Sequence, residues 1–274
     1  MDLADYANIS PPSAAIGAIT SYIKETDNVT PIDHYRRTVK RLLNYGTSDH
    51  LDGNDFIGRL LLIGLVSAAE GYVRTALSSC MEVCPLAQTN AAAKTINLGG
   101  LLWHGRDGFS KSAFEHASFA SKDELTKACS GYLGFKLEDN KFKTLLDEFD
   151  SVCQLRHGIV HADGFLPGRN AVQLGIPKAQ KAAIIVVRYK QLQEVAAVIN
   201  TLIYTLNREL FAEMCKRWAI DWRKRADWVP GQEKARFTQL WRIFHSGDER
   251  ALRKGKSKIT LQRCLVETKS LYGI

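Results

Sequence analysis

The chain has 274 residues, 45% of them hydrophobic and 24% charged, which excludes a disordered chain, a collagen-like repeat and a disulfide-stapled miniprotein. Its 37 Lys/Arg against 29 Asp/Glu give a formal charge of +8, and residues 216–274 alone hold 15 basic and 6 acidic residues. All the excess basic charge therefore lies in the last fifth, with four of the five tryptophans, a pattern that suggests a polyanion partner.

The opening segment, MDLADYANISPPS, is acidic and has no apolar core. The longest uncharged apolar run, Leu60 to Ala69, spans ten residues, about half the ~20 needed to cross a bilayer. Both features predict a soluble, cytoplasmic protein with no membrane partner. The six cysteines show no C-x-x-C pair and are expected to be reduced, mostly buried thiols.

Residues 1–30 form a lead-in broken by Pro11, Pro12 and Pro31. Helix is expected from Ile32 to Gly46, with Pro31 in its first turn. Asp52-Gly53-Asn54-Asp55 then caps a long helix from Phe56 to about Cys84, stopped by Pro85. Its apolar residues occur all round, as suits the buried centre of a bundle, and Glu70 is an unusual occupant. The stretch 98–108, LGGLLWHGRDG, reads as a glycine-punctuated connecting loop, matching neither the Walker nor the dinucleotide pattern.

Ser121 and Glu124 stand in capping-box spacing before a helix to Tyr132. Another helix runs from Asp139 to about Ala162, ended by Gly164. Between 165 and 187 lie Pro167, Gly168, Gly175 and Pro177, and the β-branched run Ile184–Val187 suggests a short strand or hairpin. Helix returns from Arg188 to Arg217. A basic amphipathic segment, Lys216 to Val229, a helix from Gln232 to His245 and a Lys/Arg-rich end complete the chain. The class is mainly α: an antiparallel helical bundle over 31–215 with a basic, Trp-rich extension over 216–274.

One helix carries the candidate chemistry. At about 100° per residue, Phe142, Leu145, Leu146, Phe149, Val152, Cys153 and Val160 form one apolar stripe with Arg156 inside it. His157 flanks the stripe and His161 sits near its edge. A guanidinium left unpaired in a core costs several kcal/mol. Arg156 therefore needs an acidic partner, or its face must open onto a cleft or a subunit interface.

The run Leu155-Arg156-His157-Gly158-Ile159-Val160-His161-Ala162-Asp163-Gly164 resembles the signature of HEPN-domain ribonucleases: Arg, a polar residue, three variable residues, then His. The resemblance implies a HEPN-like bundle and metal-independent endoribonuclease chemistry, with no cofactor. In that chemistry an RNA 2′-hydroxyl attacks the adjacent phosphorus, leaving a 2′,3′-cyclic phosphate and a 5′-hydroxyl. It also implies a homodimer, each subunit contributing one Arg–His set. The cellular role it implies is a toxin or antiviral-defence effector, with an inhibitory or activating protein partner.

On this reading His161 is the acid/base, Arg156 the phosphate clamp and His157 a supporting group. Asp163 and the helix C-terminus favour protonated His161, and Glu70 is the candidate partner of Arg156. Two alternatives stand beside it, and the tail carries a call of its own. Cys153, His157 and His161 recur at four-residue spacing and could hold zinc. The bundle could be an inactive HEPN-like adaptor. In the tail, Arg217, Trp218, Trp222, Arg223, Lys224 and Arg225 interleave cations with stacking surfaces, as single-stranded RNA binding requires; the tryptophans could equally dock the segment onto the bundle.

Overall fold

The computed structural model describes residues 15–26, 29–137, 140–252 and 259–274. The described residues form thirteen α-helices and no strand. In chain order they are α1 (Pro31–Tyr45), α2 (Ser48–Leu51), α3 (Asp55–Val83), α4 (Pro85–Ala91), α5 (Leu98–His104), α6 (Phe109–Ser112), α7 (Lys122–Leu133), α8 (Asn140–His161), α9 (Gly168–Gln173), α10 (Tyr189–Ile220), α11 (Glu233–Phe244), α12 (Gly247–Leu252) and α13 (Leu261–Tyr272).

The helix starts follow from local chemistry. The Thr30 hydroxyl accepts from the Asp33 amide ahead of Pro31, Asn54 Oδ1 accepts from Ile57, and Ser121 Oγ accepts from Glu124. Each side chain satisfies an amide that the first helical turn leaves unpaired. The stretch 98–108 departs from the expected loop. Asn97 Oδ1 accepts from both Gly99 and Gly100 and so starts α5 despite the glycines. Asp139, and Arg253, Lys254, Lys256 and Lys258 of the basic end, lie outside the described residues.

α3 is the axis of the bundle. It is long and apolar enough to cross a membrane by length and composition. Here its buried residues, from Leu61 through Leu65, Ala69, Tyr72 and Leu77 to Met81, join one core with α1, α7, α8, α10 and α11. Cross-links fix the directions. Tyr72 Oη donates to Asn207 Oδ1 at 3.0 Å, and Gly58 abuts Val187, so α10 runs parallel to α3. Gly64 meets Leu42, and the Tyr35 and Tyr72 rings sit 6.0 Å apart, so α1 runs antiparallel to α3. α8 is antiparallel as well: Arg59 near the start of α3 reaches Gly164 just past the end of α8.

The segment between α8 and α10 crosses the ends of α3 and α8 at very short range. A Cβ on Gly58 would sit 1.7 Å from the Val187 carbonyl oxygen, and one on Gly158 would sit 3.0 Å from that of Phe165. Only glycine allows both approaches. The expected strand shrinks to a single antiparallel bridge, Phe165 with Ile184, because the intervening chain folds into α9. Ile185 and Val187 instead bury their side chains in the core.

The tail does not stand apart. α10 continues unbroken through residue 216 to Ile220, so no boundary falls at 215. Trp218, Trp222, Phe237 and Leu240 share the core with α3.

Candidate functional site

α8 ends in a left-handed turn. Asp163 takes φ 50° and Gly164 φ 84°, and the Gly164 amide returns to the Gly158 carbonyl at 3.3 Å. Asp is one of the few side chains that tolerate this conformation. The chain then passes into α9, which is tied back to α8 by Asn170. Its amide donates to Gln154 Oε1 at 2.6 Å, and Asn170 is buried. This bracing fixes the last two turns of α8 and places α9 beside them.

On those turns His157 and His161 are exposed, their ring centroids 4.6 Å apart and their planes at 49°. Arg156 is half-buried beside them, and its Nε is buried with no hydrogen-bond partner. The His157 pKa is lowered from its ordinary value. Desolvation is the largest cause, followed by the positive charges of His161, Arg156 and Arg169. Arg169, on α9, is a member of this cluster that sequence reading missed. Its only sequence signal was Pro167-Gly168, which could have been read as a helix start rather than a loop.

One supporting assignment changes. Glu70 does not pair with Arg156. Its carboxylate accepts from the Phe119 amide at 2.9 Å and from Ser118 Oγ at 3.3 Å. With Arg74, which donates to the Phe114 and Ala117 carbonyls, it anchors the segment before α7. Glu70 and Arg156 both act on the buried Cys153 thiol of α8. Asp163, with φ 50°, terminates the helix two residues past His161. Cys153 is 3% exposed, and burial raises its pKa, while the two histidines face outward. The three side chains do not converge, and no metal-holding group of three His, Cys, Asp or Glu occurs among the described residues.

The tail cluster is organised the other way. Trp218 is 0% and Trp222 1% exposed, so neither offers a face to a base. Arg217 is buried, donating to Glu213 at 2.7 Å and to the Leu133 carbonyl at 2.6 Å. Arg223 lies over the Trp218 ring at 4.9 Å and the Trp228 ring at 5.0 Å, with Glu233 at 2.9 Å. Of the six residues expected to meet RNA, only Lys224 and Arg225 are exposed, and Arg225 is paired with Asp227. The expected stacking platform is a docking device: an apolar underside buries the indoles and local acids absorb the cations.

No family model, no curated protein and no solved structure matches the chain.

Proposed function

We propose that the chain is a metal-independent endoribonuclease of HEPN type whose site is the C-terminal end of α8. The observation that carries this reading is the exposed His157–His161 pair, 4.6 Å between rings, beside an arginine whose Nε has no partner. A structural arginine at that depth would be satisfied by a carboxylate. Arg156 instead keeps its hydrogen-bonding capacity, as a phosphate clamp must before substrate arrives.

The two histidines suit acid–base work as a pair. Because a proton on His161 disfavours a proton on His157, one ring tends to be an acid while its neighbour is a base. The base takes the proton of the RNA 2′-hydroxyl as that oxygen attacks phosphorus. The bond from phosphorus to the 5′-oxygen breaks, and the acid protonates the leaving oxygen. Arg156 neutralises the extra charge of the phosphorane. His161 carries the main acid/base role, with His157 held neutral beside it.

The surrounding surface supports a homodimer through this face. Val160, Phe165 and Ile184, at 41%, 49% and 52% exposed, border the histidines. A second copy over them would exclude water from both sites. The same apolar border also suits an inactive adaptor, and chemistry separates the two readings. Total RNA is incubated in EDTA with the parent or with His161→Ala, and product ends are mapped. The expected result is cyclic-phosphate ends from the parent and a loss of about 10²–10⁴-fold in rate for the variant. A variant as fast as the parent overturns the site. A folded, dimeric parent that leaves RNA intact favours the adaptor. The role of toxin or antiviral effector follows from the resemblance and is tested by growth arrest on induction, lost in the same variant.

A further inference from the structure

A second feature lies at the other end of α8 and owes nothing to the histidines. α1, α10, α11 and α12 enclose a cleft of about 560 Å³, within the range of small-molecule sites. One wall is aromatic. Trp241 stacks on His245 at 4.5 Å with planes 21° apart, and Phe211 meets Trp241 edge-on at 5.9 Å. Tyr204 closes the wall at 44% exposure.

Among the described residues the lining also carries three cations, Arg36, Arg208 and Arg250, with one acid, Glu249; Arg208 lies between Tyr204 and Phe211 on α10. Arg36 is steadied by Glu249 at 3.0 Å and by Ser246. Ser246 Oγ in turn donates to the buried Asp33, so this corner is braced from below. Arg208 is exposed, with Glu209 at 3.0 Å, and Glu209 is shared with Lys141. Arg250 is exposed at the rim, close enough to lower the His245 pKa after desolvation has done so.

Aromatic side chains set among three guanidiniums in one cleft suit a flat ring joined to an anion. Forked guanidiniums match phosphate oxygens two at a time, and an open aromatic face stacks on a base; Tyr204 offers that face, backed by Trp241, which is 9% exposed. We propose that this cleft binds a nucleoside 5′-phosphate, either a free nucleotide or the phosphorylated 5′ end of an RNA strand. The Lys141–Glu209 pair sets the cleft near the start of α8. The 16 residues from Lys141 to His157 put the histidines about 24 Å away along the helix axis. The site is therefore separate from the α8 centre, and its test does not depend on catalysis.

The test is calorimetric titration of the full chain with AMP, ADP and ATP, and with tetranucleotides carrying a 5′-phosphate or a 5′-hydroxyl. Parent, Arg208→Ala, Arg250→Ala and the remote surface control Lys190→Ala are compared after circular dichroism confirms their folds. Each arginine variant is expected to bind at least about tenfold more weakly, as loss of a charge-assisted phosphate contact implies, with the control unchanged. Tyr204→Ala, which removes the exposed ring of the wall, is expected to weaken binding as well. Binding of mononucleotides identifies the free-nucleotide source. Binding of the 5′-phosphorylated tetranucleotide alone identifies the RNA end. No heat from any of these probes at about 1 mM, the weak limit of specific binding, overturns the proposal. So does binding that both arginine variants leave unchanged.

Discussion

The end of α8 and the tryptophan segment at the end of α10 look alike as sequence, since each sets an arginine next to the first of two rings four residues apart. The folded chain treats them oppositely. His157 and His161 face outward beside an arginine with spare donors, whereas Trp218 and Trp222 are sealed into the core under cations already engaged by Glu213, Glu233 and Asp227. Residue type and spacing do not separate a reactive cluster from a structural one. What separates them is whether the rings stay open to solvent: both indoles are sealed in the core, whereas both imidazoles are exposed.

The largest expected effect falls on the sealed side. Trp218→Ala or Trp222→Ala should lower stability by about 3–5 kcal/mol, the range for truncating a large buried aromatic. Urea denaturation followed by circular dichroism reads it. Trp222→Phe is the sharper variant, because the indole N–H of Trp222 is buried without a partner. Removing an unpaired donor recovers part of the cavity cost, so the change should stay below about 2 kcal/mol. An RNA-stacking surface would instead leave the urea midpoint where it is and weaken RNA binding.

Arg217→Met comes next, at about 2–3 kcal/mol, since it leaves the Leu133 carbonyl and Glu213 without their charged donor. Gly58→Ala belongs in the same range or above, because the Val187 carbonyl cannot yield to a Cβ. On the open side, His157→Ala and His161→Ala should move stability by no more than about 0.5 kcal/mol, as exposed substitutions do. A large loss there would mean that the histidines hold the fold rather than a substrate, and the comparison would collapse.

Much of the fold was legible before the coordinates. Pro31, Asn54, Ser121 and Gly164 mark helix ends through local chemistry that no distant contact overrides. The α8 motif was legible for the same reason, because i to i+4 spacing on one helix is a local property. What escaped was non-local. Glu70 finds the Phe119 amide rather than Arg156 through the return path of the 113–121 segment. Arg169 joins the histidines only because Asn170 bonds to Gln154 across 16 residues. The run 184–187 has strand composition, yet it is used as apolar anchors against glycine-lined helices.

The smallest effect is the most specific to the open cluster. Because the folded pKa of His157 is lowered, the unfolded chain, near the ordinary value of about 6.5, binds more protons just below that pH. Stability therefore falls as pH drops through that window and levels off below the folded pKa, while above about 6.5 this group adds no pH dependence. The ring is exposed, so its part in stability is slight, and NMR titration of the imidazole resonances is the measurement to make. The His157 midpoint should lie below 6.5 in the parent. It should rise toward the ordinary value in His161→Ala, and by less in Arg169→Gln, following the order of the charges that depress it. If the parent activity has an acid limb set by a neutral base in this pair, Arg169→Gln, which keeps both histidines, should move that limb with the titration. A His157 midpoint that ignores His161 would show that the two rings touch without sharing a proton, and the paired acid–base assignment would fail even if RNA were still cut.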